Sequence, residues 1–460
     1  MRLIDREVTI PCSPLSAGVL QFFAEQTEAC LDEDEVLVRF AVTFTEVGSY
    51  NCELGTIRGS KAAAQQIPSV FDFRHRGYAT SDDFNCMLLV PTGIGAEIGG
   101  HAGDAGPVTW LLASICDNLI THPNVVNASD INELPANGLY VEGSTLCRLL
   151  LGTAGLQKVK SNRLLVVMDH RPDEPYIEEL VVNSVNAARA TYGLNCTRFL
   201  RLDPTFTTHA QYSSTGVAAG HVEDLELLIA ALNNYKGDYD AVAIASTIDV
   251  PPNFHMDYFR SGGEMVNPWG GVEAMLTHAI SLLYDVPTAH APMVANKDIA
   301  HLETGVVDSR MAAEAVSISF IQCIFKGLMR SPRIVTRPEE IYRPGVISAR
   351  DISCLVIPEG CLGLPTLAAL EQGIPVIAVK ENKNRMRNDL ESLPWAPGQY
   401  FCVENYWEAA GVMAALKAGI APESVRRPIE LASIEDHKSA VAKSERDQLR
   451  LRGREKQQAR

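Results

Sequence analysis

The spacing of apolar and polar positions changes near residue 80 of this 460-residue chain. Before that point, the segments VTIP and EVLVRFAVTFTEV alternate between apolar and polar residues, as half-buried strands do. Between them, Val19, Phe22 and Phe23 are spaced as on one face of a helix. The pattern predicts a small N-terminal α+β section over residues 1–80, in the order strand, helix, strand.

Residues 81–430 follow a different pattern, in which short apolar runs alternate with segments of helical spacing. The runs are rich in Val, Ile and Leu, which is typical of parallel strands covered on both faces. Pro107 at one helix start and Gly193 at one helix end agree with the helical spacing. We therefore predict an α/β core of one or two lobes, with an open, mainly parallel, Rossmann-like sheet and helices on both faces. The predicted strands are 85–91, 163–169, 239–246, 286–292, 352–358 and 374–380.

The composition indicates a globular protein with an excess of negative charge. Lys and Arg number 40 against 56 Asp and Glu, which gives a formal net charge of −16. This charge disfavours binding to phosphate backbones and to anionic membrane surfaces. Residues 431–460 are highly charged and are predicted to form a solvated tail. We expect a small-molecule partner, no nucleic acid and no membrane, and we leave a homo-oligomer open.

The cysteines and the N-terminus bear on the cellular location. The 11 cysteines are scattered and include no C-x-x-C pair, so the pattern indicates neither a disulfide framework nor a zinc knot. The N-terminus MRLIDREVTIP has no long apolar region of the kind that a secretory signal needs. These features predict a protein of the reducing cytoplasm.

A glycine-rich segment, TGIGAEIGGHAGDAG, follows the first strand of the core. Ligands of open parallel sheets bind beyond the carboxyl ends of the strands, so this loop is a candidate site. Its backbone N–H groups could hold a carboxylate or phosphate, which makes its glycines substrate-binding candidates: Gly93, Gly95, Gly99 and Gly100. The loop also carries Glu97, His101 and Asp104, which are candidate catalytic residues because each can exchange protons near neutral pH in a suitable environment. Asp104 is alternatively a helix N-cap before Pro107.

Further candidates lie at other strand ends. His122 is the fourth candidate catalytic residue, and it opens a segment rich in amides and carboxylates. Turn formation is an equally good explanation of Asn and Asp there. Cys361 lies before a predicted helix, where a lowered thiol pKa would make it reactive, although single cysteines are usually small buried apolar residues. The candidate substrate-binding residues of these segments are Asn124, Asn127, Asp130, Glu142, His290, Glu359, Cys361, Glu381 and Asn382.

No cofactor is identified by these motifs. The spacing Gly93-x-Gly95-x-x-x-Gly99 departs by one residue from the dinucleotide-binding pattern, and the loop lacks the lysine of a phosphate-binding P-loop. A metal held by His101, His122 and nearby acids is an alternative without a recognisable ligand spacing, so no metal residue is assigned.

Three segments together resemble a known family: TGIGAEIGGHAGDAGPV, THPNVVNASDINELP and YVEGSTLCRLLLG. They are similar to a family of bacterial, notably cyanobacterial, conserved proteins of unknown function. The resemblance extends over about residues 85–384 and includes a P-x-x-G-x-E-A helix start and the strand end AHAP. It implies a common site around the Gly-rich loop and the segment from His122 to Glu142, but it implies no reaction.

Three functions remain open from the sequence. The first is an enzyme of lyase or isomerase type, in which His101 and Glu97 exchange protons with a small carboxylate- or phosphate-bearing metabolite that Asn124 and Asn127 orient. The second is a metal-dependent hydrolase that uses the same His and acid groups as ligands. The third is a metabolite-binding or assembly protein without enzymatic activity. A redox role with NAD is a weaker fourth.

Overall fold

The computed structural model describes residues 1–11, 18–59, 67–77, 82–429, 431, 432 and 434. The chain divides into two compact units, Met1–Ala418 and Gly419–Arg460. The described part of the second unit contains a 3₁₀ helix, Pro422–Val425. The predicted tail over 431–460 lies outside the described residues, apart from the three positions given above. Among the described helices, none combines the length and apolar character needed to span a membrane.

The N-terminal section forms the larger part of an antiparallel sheet. Its strand, helix and strand are confirmed as Arg2–Pro11, Val19–Glu28 and Glu35–Glu46, and a further strand, Ser49–Arg58, pairs with both strands. Phe23 anchors the helix, because its ring centroid lies 5.3 Å from that of Phe40 and 5.0 Å from that of Tyr50. Three later segments complete the sheet: Thr207–Tyr212, Ala218–Glu223 and Leu362–Gly363.

The α/β class predicted for the core is confirmed, but the predicted strands divide between two parallel sheets. The strands of the first are, in spatial order, Tyr400–Val403, Val376–Val379, Ile352–Pro358, Asn85–Leu88, Asn118–Thr121 and Gly138–Tyr140. Those of the second are Phe199–Leu202, Leu164–Asp169, Ala241–Thr247 and Thr288–Met293. Most of these strand residues are buried, as expected for strands covered on both faces. Two smaller sheets consist of Arg333–Val335, Gly155–Gln157 and Val346–Ile347, and of Asn127–Ala128 and Ile131–Asn132.

The helices begin and end largely where proline and glycine predict. Pro175 opens the longest described helix, and Gly193, in the left-handed conformation with φ 73°, ends it. The α-helices of the core are Gly106–Ala113, Pro123–Val126, Gly143–Leu150, Pro175–Tyr192, Leu225–Asn234, Phe254–Arg260, Trp269–Tyr284, Lys297–Ala300, Ala312–Ala315, Gln322–Met329, Pro338–Ile341, Leu364–Gln372 and Tyr406–Lys417. Short 3₁₀ helices occupy Ser309–Met311 and Ala349–Asp351.

One predicted helix proves shorter than expected. The apolar run after Pro107 predicts a helix to about residue 120, but the helix ends at Ala113 and Asn118–Thr121 is an inner strand of the first parallel sheet. The strand register explains the change, because the Asn118 side chain donates to Oδ1 of Asn85 on the neighbouring strand at 2.7 Å. Buried hydrophobic segments of this length do not distinguish helix from strand by periodicity alone.

Helix Trp269–Tyr284 contacts both the antiparallel sheet and the second parallel sheet. Gly271 makes this close approach possible, because a Cβ there would come within 2.2 Å of the carbonyl oxygen of Ala218. The helix therefore brings one of its faces to the region beyond the strand ends of the core.

Candidate functional site

A cavity of about 240 Å³, which we call the central cavity, lies beyond the strand ends. His122 and Glu142 reach it from loops after two neighbouring strands of the first parallel sheet, and His290 reaches it from the last strand of the second. Ligand sites of parallel sheets are found at such positions. The polar side chains of the lining are His122, Asn124, Asn127, Ser129, Glu142, His255, Asn267, Glu273, Thr277, His278, His290, Thr304, Glu314 and Ser317, with Thr92 at the start of the Gly-rich loop.

Glu142 and His278 contact each other in the wall of the central cavity. Nδ1 of His278 lies 2.7 Å from Oε1 of Glu142, whose side chain is 2% exposed. Glu142 also caps helix Gly143–Leu150 by accepting from the backbone N–H groups of Ser144 at 2.8 Å and Thr145 at 3.2 Å. Burial raises the pKa of Glu142, but the imidazole of His278 and these hydrogen bonds outweigh it and bring the pKa to about 2. The carboxylate is therefore ionised and lies directly beside the His278 ring.

Nε2 of His278 has no hydrogen-bond partner among the described residues, and Nδ1 lies 2.7 Å from Glu142 without the alignment of a hydrogen bond. Because His278 lines the central cavity, its Nε2 is available to a bound molecule. An imidazole with one nitrogen held by a carboxylate and the other free is the arrangement of a general base.

Gly143 makes room for the His278 ring. A Cβ on Gly143 would lie 2.8 Å from Cε1 and 3.1 Å from Nε2 of His278, closer than carbon atoms normally approach. We expect Gly143→Ala to displace the ring and to lower the free energy of unfolding by about 1–3 kcal/mol in chemical denaturation. The control is Gly411→Ala, in open space on helix Tyr406–Lys417, which should stabilise by up to about 1 kcal/mol. Equal effects of the two changes would show that the His278 ring does not pack against Gly143.

His122 is held as a neutral imidazole. The backbone N–H of Val90 donates to its Nε2 at 3.2 Å, so the proton of the neutral ring sits on Nδ1. Burial, with the nearby His278 ring, lowers the pKa of His122 to about 4. His122 is therefore a hydrogen-bond donor to the cavity at neutral pH, although the sequence predicted it to be an acid–base group.

His290 is hydrogen-bonded through both ring nitrogens. Nδ1 lies 2.9 Å from Oε1 of Glu273, and Nε2 lies 2.9 Å from Oγ of Ser246. The order carboxylate, imidazole, hydroxyl is that of a nucleophile triad. Ser246, however, is 1% exposed and is absent from the cavity lining, so the chain of hydrogen bonds positions Glu273 and His290 in the wall.

Glu314 brings a second kind of acid to the central cavity. Its Oε1 accepts from the backbone N–H of Ala102 at 2.8 Å and from the hydroxyl of Tyr258 at 3.3 Å. Burial outweighs these hydrogen bonds and raises the pKa of Glu314 to about 7. Tyr258 also contacts His101, whose Nδ1 lies 2.8 Å from the tyrosine oxygen. His101 is thus a buried neighbour of Glu314 that does not line the cavity, and burial lowers its pKa.

The Gly-rich loop is bound mainly by the protein itself. The N–H groups of Ile98, Gly99 and Ala102 donate to the side chains of Asn382, Asp104 and Glu314, respectively. These donors are therefore not free to form the anion-binding site that the sequence predicted.

The glycines of this loop allow close packing of the backbone. A Cβ on Gly95 would lie 2.8 Å from Cγ2 of Val266, and one on Gly99 would lie 2.9 Å from Cγ1 of Val90. A Cβ on Gly100 would overlap the carbonyl oxygen of Ala96 at 2.0 Å. Gly93 is the one of the four that lines the central cavity.

Two of the four predicted catalytic residues belong to the support of this loop. Asp104 accepts from Gly99, and burial raises its pKa to about 7. Glu97 is 55% exposed and forms an ion pair with Arg310 at 3.0 Å. Neither lines the central cavity.

The predicted residues of the segment after His122 have structural partners. Asp130 accepts from the backbone N–H groups at Ile321 and Gln322, at the start of helix Gln322–Met329. Asn124 donates to the carbonyls of Val90 and Gly99, at 3.2 and 2.7 Å. Asn127 donates to the hydroxyl of Tyr140 at 3.1 Å. Asn124 and Asn127 nevertheless line the central cavity, whereas Asp130 does not.

The candidates near the C-terminal strands lie away from the central cavity. Asn382 is fully buried and holds the backbone of Ile98 through two hydrogen bonds of 2.9 Å. Burial raises the pKa of the Cys361 thiol, the opposite of the reactive thiol that the sequence suggested. Glu359 and Glu381 are also absent from the lining.

The sequence did not identify His278 or Glu314 as site residues. Glu273 and Thr277, and likewise Ala274 and His278, lie four residues apart on helix Trp269–Tyr284, and all four line the central cavity, so two adjacent rows form one face. That polar face, in a helix whose other faces are largely apolar, was the signal that could have revealed His278. Glu314 does not follow a strand, and the sequence around it contains no such signal. Among the described residues, no group of three or more His, Cys, Asp or Glu side chains has the arrangement of a metal site.

The chain is similar to a protein family and to a cyanobacterial protein. A family model described as "Protein of unknown function (DUF3326)" matches residues 85–426. An uncharacterized lipoprotein of Synechococcus sp. (strain ATCC 27144 / PCC 6301 / SAUG 1402/1) is 33% identical over 343 residues, which are 74% of this chain and 92% of the relative. No solved structure matches the chain. The resemblance inferred from the Gly-rich loop and its neighbouring motifs is confirmed.

One prediction from the sequence is corrected by this comparison. Scattered cysteines and the N-terminal composition predicted a cytoplasmic location, but the cyanobacterial relative is described as a lipoprotein. The cytoplasmic prediction is therefore wrong. It rested on the scattered cysteines and on the lack of a long apolar region at the N-terminus.

Proposed function

The chain belongs to the DUF3326 family, and we propose that it is an enzyme that transfers protons to and from a small polar molecule in the central cavity. The observation that carries the proposal is the His278–Glu142 pair. One ring nitrogen is held 2.7 Å from a buried carboxylate, and the other has no partner among the described residues. Lyase or isomerase chemistry follows from this arrangement, with the catalytic base moved from His101 to His278.

The ionised Glu142 supports a proton transfer at Nε2 of His278. Its negative charge, 2.7 Å from Nδ1, favours a proton at that nitrogen, and the proposed reaction uses the lone pair of Nε2. When Nε2 takes a proton from the substrate, the carboxylate stabilises the positive charge that forms on the ring.

Glu314 supplies the complementary acid. A carboxyl with a pKa of about 7 carries a proton in part of the molecules at neutral pH and can give it to the substrate. A base and an acid in the wall of one cavity are what a proton shift between two substrate atoms, or the loss of a leaving group, requires.

The lining also bears on the substrate. The described residues that line the central cavity include no Lys or Arg. The proposed substrate therefore does not need a carboxylate or phosphate group in order to bind. Among the described residues, Nδ1 of His122 has no acceptor and Oδ1 of Asn124 has no donor. A bound molecule with both hydrogen-bond donors and acceptors could pair with these two atoms. We also propose that the first parallel sheet is Rossmann-like, which its parallel pairing supports.

Deuterium exchange tests the proposal even while the substrate is unidentified. A small-molecule extract of cyanobacterial cells is incubated with the protein in D₂O, and metabolites that gain one mass unit are identified by liquid chromatography and mass spectrometry. An enzyme that removes and returns a proton incorporates deuterium into its substrate. We expect exchange by the wild type and an exchange rate at least about 100-fold lower for His278→Asn.

The matched control is His209→Asn on strand Thr207–Tyr212, outside the cavity lining, which should retain the wild-type rate. The proposal would be overturned if His278→Asn kept the wild-type exchange rate, or if the wild type showed no exchange. The second outcome would favour a metabolite-binding protein without enzymatic activity.

A further inference from the structure

A second cavity of about 130 Å³, which we call the apolar cavity, adjoins the central cavity. The two share five wall residues, namely Thr92, His122, Gly143, Ala274 and His278. The catalytic imidazole proposed above therefore stands between two compartments. The wall of the apolar cavity is mainly aliphatic and aromatic, with Val38, Phe40, Val70, Ile94, Leu364 and Met386 among its residues.

The N-terminal section supplies one side of this wall. Val38 to Ala41 belong to strand Glu35–Glu46, and Val70 lies in the described segment 67–77. The wall also includes Leu362 and Gly363, whose strand pairs with the same N-terminal strand. The family model matches residues 85–426. Val38 to Ala41 and Val70 therefore come from the part of the chain that precedes the matched region.

Each charged residue of the apolar cavity has an ionic partner, although Oε1 of Glu53 and Nε of Arg148 make no hydrogen bond with the described residues. Arg39 donates to Asp5 at 2.8 Å and to Glu53 at 3.0 Å, and Arg148 donates to Asp285 at 2.6 Å. Paired charges do not require a charged ligand. What remains for a ligand is an apolar space comparable to an engineered cavity of about 150 Å³ that binds benzene.

We infer that the substrate of the central cavity carries an apolar group of the size of a benzene ring, which occupies the apolar cavity. The polar, reacting end then lies beside Nε2 of His278, and the N-terminal section determines which apolar group is accepted. This inference rests on the proposed function for the reaction, but the binding of an apolar group can be measured without turnover.

Two probes test the inference in calorimetric titrations of the full-length chain. Toluene fills the apolar cavity alone, and 3-phenylpropan-1-ol adds an arm with a hydroxyl that can reach His278. Gly363→Leu extends a side chain from the cavity wall, and its backbone is extended with φ −167°, which leucine adopts readily. We expect the wild type to bind both probes and Gly363→Leu to weaken both at least tenfold.

Gly411→Leu is the matched control, because a side chain there meets open space. It should bind both probes as the wild type does. Toluene binding that is absent in the wild type, or unchanged in Gly363→Leu, overturns the apolar site.

His278→Asn separates the two parts of the inference. Because His278 also lines the apolar cavity, the variant should weaken the alcohol at least threefold more than it weakens toluene. If toluene binds as expected but His278→Asn weakens the alcohol no more than it weakens toluene, the apolar group does not extend from a substrate at His278. Deuterium exchange would then still decide the proposed function by itself.

Discussion

Replacing Glu142 with alanine should lower the free energy of unfolding by about 3–5 kcal/mol. The carboxylate is 2% exposed and contacts the His278 ring at 2.7 Å. It also accepts from the N–H and hydroxyl groups of Ser144, at 2.8 and 2.5 Å. Its removal leaves these buried donors without an acceptor and takes the cap from helix Gly143–Leu150, which adds to the cost. Urea denaturation followed by circular dichroism measures the change.

Glu97→Ala is the control for this prediction. Glu97 also forms an ion pair, with Arg310 at 3.0 Å, but its side chain is 55% exposed. Water screens such a pair, so its loss should cost less than about 1 kcal/mol. Glu142→Ala with an effect as small as that of Glu97→Ala would mean that the Glu142–His278 pair does not hold the cavity wall.

Both glutamates were site candidates in the sequence, and their different positions show what the sequence could provide. Residues that follow parallel strands could be found, because the carboxyl ends of such strands meet at one edge. His122, Glu142 and His290 were proposed in this way, and all three line the central cavity. A site group on a helix could not be found by this argument, since His278 reaches the cavity only through the packing of helix Trp269–Tyr284 between two sheets.

The Gly-rich loop illustrates a second limit of the sequence. A glycine is needed wherever a backbone is approached closely, and the approaching group can be a ligand or another part of the protein. At Gly95 it is the side chain of Val266, and at Gly99 it is that of Val90. The acceptor for the N–H of Ile98 comes from Asn382, 284 residues later in the chain. Such partners are set by the fold as a whole and leave no local pattern.

The division of the core into two parallel sheets has a similar cause. Apolar runs such as 164–169 and 352–358 predict buried strands equally well, and each is a strand. Their pairing partners depend on long-range packing, which the composition of a run does not encode. The strand positions were therefore predictable, and the sheet to which each strand belongs was not.

Replacing Glu314 with glutamine should change how stability depends on pH. Burial raises the pKa of Glu314 from an ordinary value of 4.5 to about 7, so the folded state holds a proton that the unfolded state releases. This contribution to stability is fully present below pH 4.5 and is lost as the pH rises through 7. Glutamine keeps the acceptor for Ala102 and Tyr258 but does not ionise. We expect the variant and the wild type to be similarly stable near pH 4.5, and the variant to be more stable by about 2–4 kcal/mol at pH 8.

Urea denaturation at intervals between pH 4.5 and 8 measures this difference, with the variant as the reference for every other group. The reference is necessary because burial also raises the pKa of Asp104 to about 7, and Asp104 titrates in both proteins. The difference between the two stability curves then contains the titration of Glu314 and its electrostatic coupling to Asp104. A difference that stays constant over this range would mean that Glu314 is already ionised when folded, and it could then not act as the acid of the proposed reaction.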